Sequence, residues 1–187
     1  MKSILELETG EKFEGYNFGD LSRTSGEIVF QTGITGYPET ITDPSYAGQI
    51  IVFTTPLINN YGFPKNIINK FGINDSVESN KPQCKAIIVQ EFTKNSSHYN
   101  AQESFQKWLV ENSIVALEGI DTRKLTKIIR EYGTCKAIIY SNPMLKPDFV
   151  DIGKLNMVKD IYSNFIEYGN GNNRVLFFDC GAKNSQI

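Results

Sequence analysis

One histidine and three cysteines in 187 residues leave this chain little material for nucleophilic or metal chemistry. Cys84, Cys135 and Cys180 are odd in number and far apart, with no C-x-x-C pair. That pattern suits reduced thiols better than a disulfide framework or a zinc site. A charge excess is also missing. Nineteen basic residues stand against twenty-one acidic ones, a formal charge of −2, so there is no electrostatic case for nucleic acid or an anionic membrane. No window approaches the roughly eighteen apolar residues of a spanning helix. The start, Met1-Lys2-Ser3-Ile4-Leu5-Glu6, reaches an acidic residue before an apolar h-region could form and does not read as a signal peptide. Asn74-Asp75-Ser76 and Asn95-Ser96-Ser97 then read as chance sequon matches. The expected setting is cytoplasmic.

The length gives room for one full domain and the start of another. A chain of about 150 residues buries roughly 70% of its unfolded surface, so a core needs no disulfide or metal. Residues 4–8, the turn Thr9-Gly10-Glu11 and residues 12–16 read as a β-hairpin. Further strands are expected at 27–31, 50–54 and 85–90, with a polar loop at 66–82. A helix is expected over 101–112, with Asn100 as N-cap, Glu103 completing a capping box, and Phe105, Trp108 and Leu109 on one face. A short strand at 114–117 precedes a second helix over 122–132. Asp121 caps it, Leu125, Ile128, Ile129 and Tyr132 form its buried stripe, and Gly133 stops it. A strand at 135–140 follows. Residues 149–165 suggest a loose amphipathic helix, and 169–173 a linker by composition. Residues 174–181 then read as a fresh buried strand with no sheet of its own to join.

Residues 33–49 are the most informative stretch. Glycines, prolines, hydroxyls and carboxylates crowd a segment poor in aliphatics, which reads as a shaped surface loop leading into the apolar run Ile50-Ile51-Val52-Phe53. Loops of that kind usually have something to touch.

This stretch and its neighbours carry a family resemblance. Glu27-Ile28-Val29-Phe30-Gln31-Thr32-Gly33, Gly36-Tyr37-Pro38-Glu39, Thr42-Asp43-Pro44-Ser45-Tyr46, Gln49-Ile50, Pro56-Leu57-Ile58 and Asn60-Tyr61-Gly62 resemble the amino-terminal domain of the small, glutamine-hydrolysing chain of carbamoyl phosphate synthase. Gly119-Ile120-Asp121-Thr122-Arg123-Lys124-Leu125-Thr126, Ile129-Arg130-Glu131 and Gly133 match the same family in the same order. Phe178-Asp179-Cys180-Gly181-Ala182-Lys183-Asn184 is similar to the opening of its glutaminase domain, where Phe would be commoner at 180. The versions at 37–39, 60–64 and 97–99 look closest to the multifunctional pyrimidine-pathway proteins of eukaryotes.

The resemblance implies an α+β fold: a mixed β/β/α domain over residues 1–142, a linker over 143–173, and over 174–187 the first strand of a truncated class I α/β glutaminase domain. It implies a chain that supports ammonia release from glutamine, for carbamoyl phosphate in the pyrimidine or arginine pathway. The implied partners are the glutaminase domain and a large synthetase chain or fused synthetase domain. ATP and Mg belong to the synthetase portion; no cofactor or metal is expected in this segment. The Cys-His-Glu triad would lie beyond Ile187, so the segment alone is expected to be inactive. The alternative is a non-catalytic module that only docks on the synthetase portion.

Within this frame Ser45 is the candidate glutamine contact. A hydroxyl on a proline-stiffened turn makes a hydrogen bond at little conformational cost, although a local bond to its own turn would serve equally well. Asp43 reads as a turn former and Tyr46 as packing. Cys180 has glycine on one side only and is expected to be apolar filling rather than a nucleophile. Cys84 and Cys135 read as core residues, and His98 as structural. Arg123 faces either the large partner or an internal carboxylate. Neither the 169–171 glycines nor residues 181–185 have the context of a dinucleotide or phosphate loop.

Overall fold

The computed structural model describes residues 1–60, 62–64, 67–70, 72–93, 104–161, 169 and 171–187. Among these described residues, nine strands and four helices follow one another as β1 (Lys2–Leu7), β2 (Lys12–Asn17), β3 (Thr24–Gln31), α1 (Tyr37–Thr42), β4 (Gln49–Phe53), β5 (Leu57–Ile58), β6 (Ala86–Ile88), β7 (Glu91–Phe92), α2 (Phe105–Glu111), β8 (Val115–Glu118), α3 (Thr122–Tyr132), β9 (Cys135–Tyr140) and α4 (Val158–Ile161). Seven of the strands close into a barrel in the order β1-β2-β8-β6-β4-β3-β9, while β5 and β7 form a separate parallel pair. The expected hairpin is there: β1 and β2 pair antiparallel, with Leu5 opposite Phe13. The ring is mixed, since β3, β4, β6 and β8 run parallel and β9, β1 and β2 are joined antiparallel.

Strand periodicity sorts the side chains into two cores. Every strand of the ring sends residues inward, among them Leu5, Phe13, Ile28, Ile50, Ile88, Leu117 and Ile139, and Leu125 and Ile129 of α3 join this cluster. The alternate residues Ile51, Phe53, Ile87 and Ala116 point outward into a second cluster with Tyr37, Ile41, Phe105 and Leu109. The parallel strands β4, β6 and β8 are therefore buried on both faces, which is why they read as continuous apolar runs rather than alternating ones. Aromatic rings fill the outer cluster: Phe63 stacks on Trp108 at 4.0 Å and Phe18 on Phe92 at 4.3 Å.

Several local expectations need correction. Residues 33–49 are not a surface loop, because six of them form α1 and three more a 3-10 turn at Pro44–Tyr46. Pro38 fits the first helical turn, where its missing N–H costs nothing, and Tyr37 and Ile41, four apart, bury together. Helix α2 is capped by Ser104, whose hydroxyl accepts from the Lys107 N–H. The expected cap at Asn100 and Glu103, and His98, lie outside the described residues. The expected helix at 149–165 is broken. Asp151 accepts from the Gly153 N–H at 3.1 Å and turns the chain into a 3-10 segment at Ile152–Lys154, leaving α4 only four residues; 162–168 lie outside the described residues.

The run 174–181 forms no strand, and Val175, Leu176, Phe177 and Phe178 are exposed. The ring has no free edge to accept it. Cys180 is exposed rather than filling a core, whereas Cys84 and Cys135 are buried as expected.

Candidate functional site

The segment leading to Ser45 is held rigidly from beneath. Gly36 enters α1 at φ 83, and Thr42 Oγ1 donates back to the Pro38 carbonyl at 2.8 Å. The chain then leaves the helix at Asp43, whose Oδ1 accepts the Ser45 N–H at 2.8 Å. Pro44 is buried below the turn, and Tyr46 packs half-buried against the outer core. Asp43 is thus the expected turn former and Tyr46 the expected packing residue. Ser45 itself is exposed, and its hydroxyl bonds to no described residue. The bland alternative, a hydroxyl spent on its own turn, is not what the geometry displays.

The end of the chain returns to this turn, which the sequence reading missed. Lys183 Nζ approaches Asp43 Oδ2 at 2.5 Å, so one carboxylate caps the Ser45 turn with one oxygen and ties down residue 183 with the other. That hydrogen bond raises the Lys183 pKa above its ordinary value, against the opposing effect of burial. Burial raises the Tyr46 phenol, and the Asp43 carboxylate adds to it. Gly181 is closely packed: a Cβ there would lie 2.8 Å from Ile161 Cδ1 and 3.4 Å from Pro44 Cβ. Asp179 Oδ1 accepts the N–H groups of Gly181 and Ala182, bending the backbone towards the turn. Lys183 and Asn184 belong to the family-like run 178–184, but nothing in a linear motif tells which distant carboxylate or carbonyl they meet.

The two buried thiols are not poised for covalent chemistry. Burial pushes the Cys84 thiol up to about 12 and raises that of Cys135, so neither is a thiolate nucleophile near neutrality. No group of three or more His, Cys, Asp or Glu able to hold a metal occurs among the described residues. None of the described helices is long and apolar enough to cross a membrane. Arg123 is exposed and forms no ion pair with a described residue.

The fold is a closed mixed barrel carrying a buttressed Asp-Pro-Ser turn at its surface. Residues 5–139 match the family model described as the carbamoyl-phosphate synthase small chain, CPSase domain, and the chain belongs to that family. The "Multifunctional protein CAD" of Squalus acanthias is 43% identical over 99% of this chain and 8% of its own length. "Carbamoyl-phosphate synthase [ammonia], mitochondrial" of Homo sapiens is 41% identical over 97% of this chain and 12% of its own. The "Carbamoyl phosphate synthase arginine-specific small chain" of Chaetomium globosum is 37% identical over 97% of this chain and 41% of its own. The chain therefore spans less than half the length of each of these relatives.

Proposed function

We propose that this chain is the amino-terminal part of the glutaminase chain of a glutamine-dependent carbamoyl phosphate synthase. Residues 1–142 form the domain that docks on the synthetase portion, 143–173 lead away from it, and 174–187 open the α/β glutaminase domain. In this reading Ser45 bonds glutamine held by that neighbouring domain, which supplies the Cys-His-Glu triad. This segment does no hydrolysis alone, and the synthetase portion uses ATP and Mg. Three free cysteines favour a reducing compartment such as the cytoplasm, although one relative is named mitochondrial.

The observation that carries the reading is an exposed hydroxyl on a stiff, buried-footed turn directly beside residues 181–183. A donor and acceptor held that way needs little ordering when an amide substrate arrives. In the full-length protein, Ser45→Ala should raise the glutamine KM by about tenfold, the worth of one hydrogen bond to substrate. Ammonia-dependent carbamoyl phosphate synthesis should be unchanged. Parallel loss of both activities would make Ser45 a folding residue.

A second reading, an assembly module without glutaminase function, draws on the human relative whose name specifies ammonia. The same assay separates the two. A wild-type protein that uses ammonia but not glutamine is a docking scaffold.

A further inference from the structure

A second connection between the Ser45 turn and residues 181–187 bypasses Asp43, and Glu78 is its pivot. The Glu78 N–H donates to Thr42 Oγ1 at 3.0 Å, and Ser79 Oγ donates to the Thr42 carbonyl at 2.5 Å. On the other side the Glu78 carbonyl accepts the Asn184 N–H at 2.8 Å. Its carboxylate accepts from Ser185, at 2.8 Å from the hydroxyl and 3.2 Å from the N–H. Asn184 Nδ2 adds bonds to the carbonyls of Val77 at 2.9 Å and Asn74 at 3.1 Å. Thr42 is the last residue of α1 and directly precedes Asp43-Pro44-Ser45. Residues 74–79 are therefore a bracket, with one arm on the end of α1 and the other on residues 184–185.

A six-residue helix followed by a three-residue turn has little stability of its own, because so short a helix cannot recover its nucleation cost. Its position is set by what grips it. The outer core grips Tyr37 and Ile41 from below; the bracket grips Thr42 from the side. A binding hydroxyl misplaced by about 1 Å loses much of its value, so the support matters as much as the hydroxyl.

We propose that Asn184 and Glu78 are positioning residues that fix the height of the Ser45 hydroxyl relative to residues 181–185. The functional consequence rests on Ser45 being the glutamine contact; the mechanical one does not. Neither side chain touches substrate. Asn184 satisfies two carbonyls of the bracket, and Glu78 transmits that restraint to Thr42.

Hydrogen exchange of the full chain provides the first measurement. The amides of Ser45, Tyr46 and Ala47 donate to Asp43 Oδ1, Asp43 O and Pro44 O, and so report on the turn itself. Asn184→Ala should speed their exchange by about tenfold, the worth of the bonds removed, while the amides of β4 are unaffected. Asn184→Gln, which keeps an amide donor, should recover part of the protection, and Ser185→Ala should act in the same direction as Asn184→Ala but less. Unchanged exchange in the turn overturns the proposal, and so does faster exchange throughout β4, which would mean general destabilisation. The second measurement is the glutamine KM of the full-length protein carrying Asn184→Ala, expected to rise about tenfold with the ammonia-dependent rate retained. Faster exchange at the turn with an unchanged glutamine KM would leave the bracket standing and remove Ser45 from the glutamine site.

Discussion

Glu6 sits on the outer face of β1 with its side chain only 9% exposed, a costly place for a carboxylate without partners. It has three. Lys146 Nζ donates to one oxygen and the Tyr140 hydroxyl to the other, each at 2.7 Å, and Lys12 Nζ lies 3.5 Å away. The Lys146 hydrogen bond is the main reason its pKa falls below the ordinary value, outweighing burial; Tyr140, in turn, is pushed up to about 12, chiefly by burial. Glu8 is also lowered, first by the Lys136 N–H. A lowered folded-state pKa means the unfolded chain takes up protons first. The stabilisation is complete above the unfolded value near 4.3 and is lost as pH falls through the folded one. Urea midpoints should therefore drop as the pH is taken from about 5 to about 3, and Glu6→Gln should flatten that decline. Superimposable pH profiles for the two proteins would show that Glu6 is not the titrating group.

Among the elements, α3 is the clearest case of local sequence setting local structure. Asp121 Oδ1 accepts the Lys124 N–H at 2.8 Å, Gly133 ends the helix at φ 77, and the bounds agree with those expected from the pattern. Its buried stripe is shorter than the pattern implied. Leu125 and Ile129 reach the barrel interior and Ile128 packs at its margin, but Tyr132 is 57% exposed. Helical spacing gives a direction for each side chain, not the distance to which the partner surface extends. Leu125→Ala should cost about 2–5 kcal/mol, Asp121→Ala about 1 kcal/mol, and Tyr132→Ala no more than about 0.5 kcal/mol, all measured by denaturant unfolding. A Tyr132 loss as large as that of Leu125 would mean that the last turn is buried in the working protein. Helix α1 teaches the opposite lesson. With Gly36 before it, Pro38 inside it and Pro44 just after, this segment looks like a loop by composition, yet burial of Tyr37 and Ile41 stabilises a helix that propensity alone disfavours.

At the scale of the whole molecule the barrel closes only because backbones approach one another where side chains would not fit. A Cβ on Gly26 would lie 2.3 Å from the Gly48 carbonyl oxygen, and one on Gly19 2.4 Å from that of Ile114. These contacts are with backbone, which cannot rotate aside. Gly26→Ala should destabilise by about 1–3 kcal/mol or more, seen as a drop in thermal midpoint. Gly171→Ala, with only one atom at 4.0 Å, should be close to neutral. Equal midpoints for the two variants would contradict the close packing of β3 against the chain around Gly48. The carboxy-terminal side belongs to the same unit through separate attachments: Arg23 donates to the Leu145 carbonyl, Ser25 Oγ accepts the Val150 N–H, and Lys183 meets Asp43.

Period, capping and turn chemistry in the sequence by themselves determined the hairpin, most strand positions, α3 to the residue, and the stiff turn under Ser45, because each depends on neighbours a few residues away. The exposure of the Ser45 hydroxyl, the ring order of the strands and the grip of Lys183, Asn184 and Glu78 on that turn were decided only by tertiary structure. Asp43 and Lys183 are 140 residues apart in the chain and 2.5 Å apart in space. No pattern along the chain encodes which of several lysines a given carboxylate will meet; the packing of residues 179–185 against the turn and the 74–79 segment does.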